Sequence, residues 1–352
     1  MSGMFAASVL GLTAAISTYF GVGAFRRWAE NRRLLDFPNA RSSHSHPIPR
    51  GAGAVVAGAV LACGLLIAGT AGSRQAWTAF LGYASGGVLV AAVSWRDDVR
   101  SLPSWQRLAF QILAAAVAIA ILGPWRVIAL PLAGPLNLGM WGVLVTGLWI
   151  VGLTNAYNFM DGIDGIAGTQ ALVAGLGWAA LGRAAGNPLV GGLGLSLAGA
   201  SLGFLFHNWH PARIFMGDVG SAFIGYTLAV LPLMYSHFSA DSTGALVVGV
   251  LLVWPFVFDT AFTFFRRAAR GERVIAAHRS HLYQRLAPAP ANHRGVALLY
   301  TGLALLGALL AQVWSTRAAA GEVTAALALP IPCLGLWWLA TTRKPKPDCG
   351  AL

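Results

Sequence analysis

Apolar stretches long enough to cross a membrane recur along the whole chain, and this feature limits the possible folds more than any other. Hydrophobic residues make up 57% of the 352 residues and charged residues only 10%, whereas soluble domains carry about 25% charged residues. Because hydrocarbon offers no partner to an unpaired backbone N–H or C=O group, each crossing must be a helix. The sequence therefore predicts an all-α, polytopic integral membrane protein.

About eleven transmembrane helices are expected, since one crossing takes about 20 residues. The predicted spans are roughly 2–24, 51–71, 76–94, 108–123, 138–154, 166–183, 188–206, 219–236, 244–264, 296–313 and 323–341. No small-residue cleavage site separates the first span from the basic loop after it, so we interpret this span as a retained helix and not as a signal peptide. Residues 1–352 are predicted to form a single membrane-embedded domain.

The net charge of +12 is explained by where the basic residues lie. All but four of the 24 Lys and Arg residues fall in alternate loops and in the tail; the exceptions are Arg74, Arg126, Arg183 and Arg317. Because basic loops stay in the cytoplasm, we predict a bacterial inner-membrane protein with a periplasmic N-terminus, a cytoplasmic C-terminus and no nucleic-acid partner. The cytoplasmic loops are then about 25–50, 95–107, 155–165, 207–218 and 265–295.

Acidic residues are rare, yet several stand at the predicted cytoplasmic ends of apolar helices. They are Asp97, Asp98, Asp161, Asp164 and Asp218. An acid near hydrocarbon is costly and generally marks a functional site. Capping, or pairing with Arg96 or Arg100, would explain the acids of one loop. Three loops at one face favour a site, because converging carboxylates repel unless a cation joins them. Hard oxygen ligands of this kind suit Mg²⁺, with Mn²⁺ as the alternative.

Two of these loops carry a recognisable spacing. In the loop from 155 to 165, polar groups recur every third residue, so Asn155, Asn158 and Asp161 would fan across about 120° of one helix face. In the next loop Asp218 directly precedes an apolar helix. There it can serve as a helix cap or as a metal ligand.

Two basic loops indicate anion binding. His278, His281 and Arg285 are spaced to share one face of a helix, which suits a diphosphate; an interfacial helix drawn to anionic lipid is the alternative. Arg41, His44 and Arg50 lie with hydroxyls and glycines just before a helix, where free N–H groups can bind an anion. A proline-rich basic loop that merely obeys the positive-inside rule is the alternative there.

Five stretches, taken in order, resemble the polyprenyl-phosphate N-acetylhexosamine-1-phosphate transferases. They are RSSH from Arg41 with PRG from Pro49, Asp97 with Asp98, NAYNFMDGIDG from Asn155, FMGDVGS from Phe215 and HRSHLYQR from His278. The last stretch is most similar to the branch that initiates O-antigen synthesis for lipopolysaccharide.

The resemblance implies that undecaprenyl phosphate attacks the β-phosphate of a UDP-N-acetylhexosamine in a Mg²⁺-dependent reaction, giving the lipid diphosphosugar and UMP. It also suggests a homodimer. By position, Asp218 resembles the metal ligand, with Asp161 as a second candidate, and Asp97 and Asp98 resemble the pair that handles the lipid phosphate. The remaining matches fall in the donor pocket: Asn155, Asn158, Asp161 and Asp164 for nucleotide and pyrophosphate, Asn208 and Phe215 for uracil, and His278, Arg279 and His281 for the phosphates.

Two other classes of protein share some of these features. A proton-coupled transporter also combines many helices with acids, but its acids sit near mid-membrane. A non-catalytic lipid-binding membrane protein would not need the metal-competent acids. Asp259 lies deeper in its helix than the other acids, and we expect it to make a polar contact between helices or to lie near the acceptor.

Overall fold

A computed structural model of the chain describes residues 2–38, 46–238, 243–272, 278–316 and 319–342, and these form an all-α bundle as predicted. The helices are α1 Ser2–Asn31, α2 Gly53–Ala71, α3 Arg74–Val99, α4 Ser104–Leu122, α5 Trp141–Met160, α6 Ile166–Ala184, α7 Pro188–Asn208, α8 Asp218–Phe238, α9 Ala245–Ala269, α10 Leu282–Leu286, α11 His293–Ser315, α12 Ala319–Ala328 and α13 Pro330–Thr342. Two short antiparallel hairpins pair β1 Leu35–Asp36 with β2 Ile48–Pro49 and β3 Val127–Leu130 with β4 Gly134–Asn137.

Within the described residues, nine helices are long and apolar enough to cross a membrane, fewer than the eleven expected. One difference is α6, which has spanning length but carries Thr169, Gln170 and Arg183 and packs with most of its residues buried in the bundle. The other is the last predicted span, which the structure divides into α12 and α13, of 10 and 13 residues. Pro330 begins the second piece, where its missing N–H costs no helical hydrogen bond. The chain is a multi-pass membrane protein.

The centre of the bundle is α8, in which every residue from 219 to 234 is buried. Small residues allow its neighbours to approach closely, as is common between helices in lipid. A Cβ atom on Gly53 would lie 2.1 Å from the Cα of Gly220, so α2 and the start of α8 are in direct backbone contact. Gly225 packs in the same way against α5 at Leu153. These contacts bring the C-terminal end of α5 beside the N-terminal end of α8.

The two ends of the bundle differ in the polar groups that lie at the ends of the helices. At one end, called here the acidic end, the last residues of α3 and α5 meet the first residue of α8. At the opposite end, the hydroxyl of Ser73 accepts from the Ala76 N–H and caps α3. Asn187 accepts from the Val190 N–H and caps α7 in the same way. The acidic end is where the predicted site residues are found.

Candidate active site

Asp218, the first residue of α8, joins three helices at the acidic end. Its Oδ1 accepts a hydrogen bond of 2.8 Å from Nδ2 of Asn158 on α5. Its Oδ2 lies 3.5 Å from Nη1 of Arg107 on α4, and the same Nη1 donates at 2.9 Å to Oδ2 of Asp97 on α3. The structure therefore brings Asp97, Asn158 and Asp218 together, as expected from three loops at one face, and adds Arg107, which had been counted only among the basic residues.

Asp98 orients Asp218 through the backbone. Its two carboxylate oxygens accept from the N–H groups of Asp218 and Val219, each at 3.0 Å, and the residue is 2% exposed. Asp98 thus supplies the N-terminal cap of α8 from another helix. The side chain of Asp218, which had been open to either role, is left facing Asn158 and Arg107. Gly217 makes the contact feasible, since a Cβ there would lie 2.6 Å from Oδ2 of Asp98.

The two asparagines of α5 have different partners. Asn158 also donates to Oγ of Ser221 at 2.9 Å, which fixes its amide against α8. Asn155 instead donates to Oε1 of Gln111 at 2.6 Å, so it links α5 to α4 one turn away from Asp218. The helical face predicted for these residues is present up to Met160, where α5 ends. Ser221 and Gln111 are further polar groups of the site that the sequence did not single out.

Asp161 follows the end of α5 and lies within electrostatic reach of the other acids. Burial raises the pKa of Asp161 to about 7, and the negative charges of Asp218, Asp98 and Asp164 add to this shift. The convergence of carboxylates from three loops is therefore a property of the folded chain. A cation is the group that would relieve it.

Asp164 and Asn208 fasten two loops of the acidic end together. Oδ2 of Asp164 accepts from Nδ1 of His210 at 2.7 Å and from the Ala212 N–H at 3.2 Å, and it lies 3.4 Å from Nδ1 of His293. Burial alone would raise the pKa of Asp164, but the hydrogen bonds with His293 and His210 outweigh it and lower the pKa. Asn208 accepts from the Gly165 N–H and donates to the Ile214 carbonyl. Asp164 and Asn208 therefore shape the site by hydrogen bonds to other groups of the protein.

Among the described residues, the group of His and Asp side chains close enough to hold a metal by themselves is Asp164 with His210 and His293. Asp218 and Asp161, the predicted metal ligands, do not form such a group of three with other His, Cys, Asp or Glu residues in the described ranges. The group that the structure places against Oδ1 of Asp218 is the amide nitrogen of Asn158, which also donates to Oγ of Ser221.

Residues 278–286, called here the histidine loop, lie close to the acids. The prediction that His278, His281 and Arg285 share one face of a helix is wrong. The helix α10 spans only Leu282–Leu286, so His281 precedes it and His278 lies outside it. The two rings are nevertheless neighbours, with centroids 5.0 Å apart. Burial lowers the pKa of His278 to about 4, and the neighbouring His281 and Arg267 add to this shift, so His278 is neutral at pH 7. It can act as a hydrogen-bonding group there, and Arg279 and Arg285 supply positive charge to this loop.

Several residues attach the surrounding loops to the acids. Arg279 is exposed and Arg285 is half-buried on the histidine loop. Tyr283 donates through its hydroxyl to the carbonyl of Phe159 at 3.0 Å, which fixes this loop next to Asp161. Arg50 donates to the backbone carbonyl of Asp98.

The predicted uracil contact, Phe215, is half-buried. Its backbone pairs with the segment on either side of Arg50: its N–H donates to the carbonyl of Pro49, and its carbonyl accepts from the N–H of Ala52. Arg41 and His44, the other predicted anion-binding residues of the first loop, lie outside the described residues.

Comparison with known proteins identifies the family of the chain. The model for "Glycosyl transferase family 4" matches residues 80–236, which contain the acid pair and the loops that meet at Asp218. The chain is 31% identical to decaprenyl-phosphate N-acetylglucosaminephosphotransferase of Mycobacterium tuberculosis, over 91% of this chain and 86% of that protein. It is 30% identical to the probable undecaprenyl-phosphate N-acetylglucosaminyl 1-phosphate transferase of Bacillus subtilis, over 76% of this chain and 73% of that protein.

A shorter match, 31% identical over 51% of this chain and 56% of the relative, joins it to phospho-N-acetylmuramoyl-pentapeptide-transferase of Lactiplantibacillus plantarum. The three relatives share transfer of a phosphosugar as their named activity, as the resemblance of the five stretches led us to expect. The chain belongs to glycosyl transferase family 4, among the polyprenyl-phosphate N-acetylhexosamine-1-phosphate transferases.

Proposed function

We propose that this enzyme transfers N-acetylhexosamine 1-phosphate from a UDP-sugar to undecaprenyl phosphate and releases UMP. The observation that carries the proposal is the arrangement around Asp218, whose carboxylate is held between Asn158 and Arg107 while Asp98 fixes its backbone. The names of the relatives support the reaction class and favour N-acetylglucosamine as the donor sugar.

In this reaction, an oxygen of the lipid phosphate forms a bond to the β-phosphorus of the donor. The bond from that phosphorus to the bridging oxygen breaks, and its electron pair leaves with UMP. A phosphate monoester has a second pKa of about 6, so the nucleophile is already mostly dianionic at neutral pH. The protein has to neutralise and align charge more than it has to remove a proton.

Arg107 is the cation best placed to receive the lipid phosphate. Its guanidinium spans Asp97 and Asp218 at the start of α4, and its side chain is 38% exposed. Since guanidinium groups bind phosphate through two parallel hydrogen bonds, Arg107 can hold the acceptor beside Asp218. Asp97 then orients Arg107, and Asp98 orients α8, so neither carboxylate has to act as an obligatory base.

The residues around Asp218 fit a bound Mg²⁺ or Mn²⁺. Mg²⁺ commonly takes one or two protein oxygens and completes its shell with water and substrate phosphates. Asp218 would hold it, with Asn158 contributing its amide oxygen after a half-turn of the amide group. Asp161 is the second carboxylate within electrostatic reach. When bound, the ion supplies positive charge that stabilises the phosphates in the transition state.

The histidine loop supplies the donor side of the site. Arg279, Arg285 and His281 are proposed to bind the diphosphate, and neutral His278 adds a hydrogen bond. Phe215 is proposed to stack on uracil, and Asp164 and Asn208 keep the shape of that pocket through the contacts that bind its two loops.

The biological setting is proposed from the charge distribution and the resemblance. The acidic end faces the cytoplasm of a bacterial inner membrane, because most Lys and Arg residues belong to loops on that side. The product would initiate O-antigen or a related cell-envelope polysaccharide, and the enzyme would act as a homodimer. Asp97, Asp98 and Asp218 meet at one end of the bundle, an arrangement that lends no support to the alternative of a proton-coupled transporter.

Purified protein tests the proposal directly. With undecaprenyl phosphate, Mg²⁺ and UDP-N-acetylglucosamine, we expect UMP release and a lipid diphosphosugar that mass spectrometry identifies. UDP-N-acetylfucosamine and UDP-N-acetylquinovosamine serve as competing donors that define the sugar. Absence of UMP release with every donor, or substrate uptake into proteoliposomes without UMP, would contradict the proposal.

A further inference from the structure

Asp259 is a buried carboxylate that the proposed reaction does not use. It lies in α9, is 0% exposed, and follows the kink at Val253 and Pro255. A carboxylate buried among membrane helices is costly unless it is paired, and such residues generally serve a function. The identity of its partners indicates which function this is.

Within the described residues, the hydrogen-bond partners of Asp259 outside its own helix lie on α11 or at the start of α10. Oδ1 accepts from the Leu282 N–H at 2.8 Å and lies 3.2 Å from Nδ1 of His281. Oδ2 accepts from the Tyr283 N–H at 2.9 Å and from the hydroxyl of Tyr300 at 2.6 Å. Asp259 therefore holds the beginning of α10 by its backbone and holds His281 by its side chain.

The contact with His281 decides which ring nitrogen is available to a ligand. A carboxylate that accepts from one imidazole N–H fixes the tautomer and the orientation of the ring. Because Nδ1 of His281 faces Asp259, Nε2 is the ring nitrogen left for a ligand, and it donates to a phosphate oxygen when the ring carries both protons. His281 is 4% exposed, so its ring has little room to reorient, and the contact with Asp259 determines which nitrogen faces which way.

The contact with Tyr283 extends the same control to the acids. The Tyr283 hydroxyl donates to the Phe159 carbonyl at the end of α5. A Cβ on Gly162 would lie 2.1 Å from that hydroxyl oxygen, so the ring is in close contact with the loop that carries Asp161. One carboxylate thus fixes the distance between the histidine loop and the acid loop.

We propose that Asp259 is a positioning residue for the donor diphosphate. It orients His281 and sets the histidine loop against the loop of Asp161. The proposal rests on the proposed function, because it assigns the histidine loop to the UDP-sugar. Asp259 touches neither substrate and acts through His281 and Tyr283.

The test compares Asp259→Asn with Tyr300→Phe, which removes one hydrogen bond to the same carboxylate and leaves the contacts to α10 in place. For Asp259→Asn we expect kcat/KM for the UDP-sugar to fall at least tenfold, with KM for undecaprenyl phosphate unchanged within twofold. Tyr300→Phe should stay within threefold of the wild type in both parameters. Equal losses of activity in the two variants at equal thermal stability would overturn the proposal, because Asp259 would then be a structural contact only.

A double-mutant cycle tests whether the effect passes through His281. Adding Asp259→Asn to His281→Ala should lower kcat/KM by clearly less than the tenfold expected in the wild-type background, since only the route through Tyr283 then remains and contacting residues that act together are not additive. Full additivity would contradict the proposed route. If Asp259→Asn does not fold, Asp259→Glu replaces it, because it keeps the charge but displaces the carboxylate by one methylene group.

Binding of UDP separates a failure of this inference from a failure of the proposed function. Thermal stabilisation by UDP, without acceptor, is expected to require at least tenfold more nucleotide in Asp259→Asn than in the wild type. A wild-type protein that binds UDP but transfers no sugar would contradict the proposed function and leave this test intact. A wild-type affinity in Asp259→Asn would overturn the positioning role.

Discussion

The two ends of the bundle cap their helices differently. At the opposite end, α3 and α7 are capped by the residue directly before each helix, Ser73 and Asn187. At the acidic end, α8 and α10 are capped by carboxylates of other helices, Asp98 and Asp259. A local cap stabilises one helix, whereas a distant cap also fixes two helices relative to each other.

Distant caps therefore fix the positions of side chains at the acidic end, where the reaction is proposed to take place. Asp98 determines where Asp218 stands, and Asp259 determines where His281 stands. The cost of a lost cap is similar at both ends, about 1 kcal/mol. The cost to activity should differ by orders of magnitude, and the following variants test that difference.

The largest effect is expected for Asp218→Asn. The variant keeps the shape of the side chain but loses the charge that would hold the cation and pair with Arg107. We expect kcat to fall about a thousandfold, with thermal stability close to that of the wild type. Glu30→Gln, which removes an exposed contact with Arg26, is the control and should retain activity. Retention of more than a tenth of the activity in Asp218→Asn would remove Asp218 as the metal ligand.

Asp98→Asn is the direct test of the comparison. Each N–H bonds a different oxygen of Asp98, and an amide replaces one of these oxygens with an NH2 donor, so the start of α8 should shift. We expect a loss of about 1–2 kcal/mol in the free energy of unfolding and a fall of about a hundredfold in kcat, because small misplacements of reacting groups are costly.

The control for Asp98→Asn is Asn187→Ala, which removes a cap at the opposite end. A similar loss of stability with activity within twofold of the wild type is expected, as measured by chemical denaturation and UMP release. If both variants lose activity in proportion to stability, distant caps have no special role in the site.

Arg107→Ala sharpens the comparison within the acidic end. The guanidinium links Asp97 to Asp218, and its removal leaves the two carboxylates unscreened from each other. We expect KM for undecaprenyl phosphate to rise about tenfold, equivalent to about 1.4 kcal/mol, with a smaller change in KM for the UDP-sugar. Arg100→Ala, an exposed arginine beside the acid pair, should change neither value. A rise confined to the donor KM would place Arg107 on the other substrate.

The smallest effect is expected for Asp164→Asn, and it should depend on pH. The pKa of Asp164 is lowered in the folded protein, chiefly by hydrogen bonds with His293 and His210 that outweigh burial. The ionised carboxylate therefore stabilises the fold at pH values above its ordinary pKa of about 3.9, and this stabilisation is lost as the pH falls.

Asp164→Asn should cost about 1–2 kcal/mol at pH 7, and the difference from the wild type should shrink below about pH 4. Thermal unfolding across a pH series measures this. Glu30→Gln, which removes an exposed contact with Arg26, is the control and should show little change at any pH. A difference that does not vary with pH would contradict the assigned cause.

The sequence predicted the parts of this structure that depend on local pattern. Apolar length predicted nearly all the long helices, and the three-residue spacing predicted the face of α5 that reaches Asp218. The Asn187 cap was not predicted, although it also depends on local pattern, because the capping residue and the helix are adjacent in the chain.

The parts that the sequence did not predict depend on partners far apart along the chain. Arg107 reaches Asp218 across 111 positions, and Asp98 caps a helix that begins 120 positions later. Spacing within one loop carries no information about such contacts. The prediction for the histidine loop was wrong for a different reason. Its periodic spacing was interpreted as a helix, whereas His281 precedes α10 and pairs with Asp259.

The contact between Gly53 and Gly220 gives the start of α8 a mechanical role. A methyl group at either position would meet backbone or the Met216 side chain at about 2 Å. The backbones of α2 and α8 are therefore in direct contact here, with no side chain between them. Two helices in such contact cannot slide past each other without losing it. Asp218 is therefore carried by a fixed point of the bundle, and both substrates must come to that point.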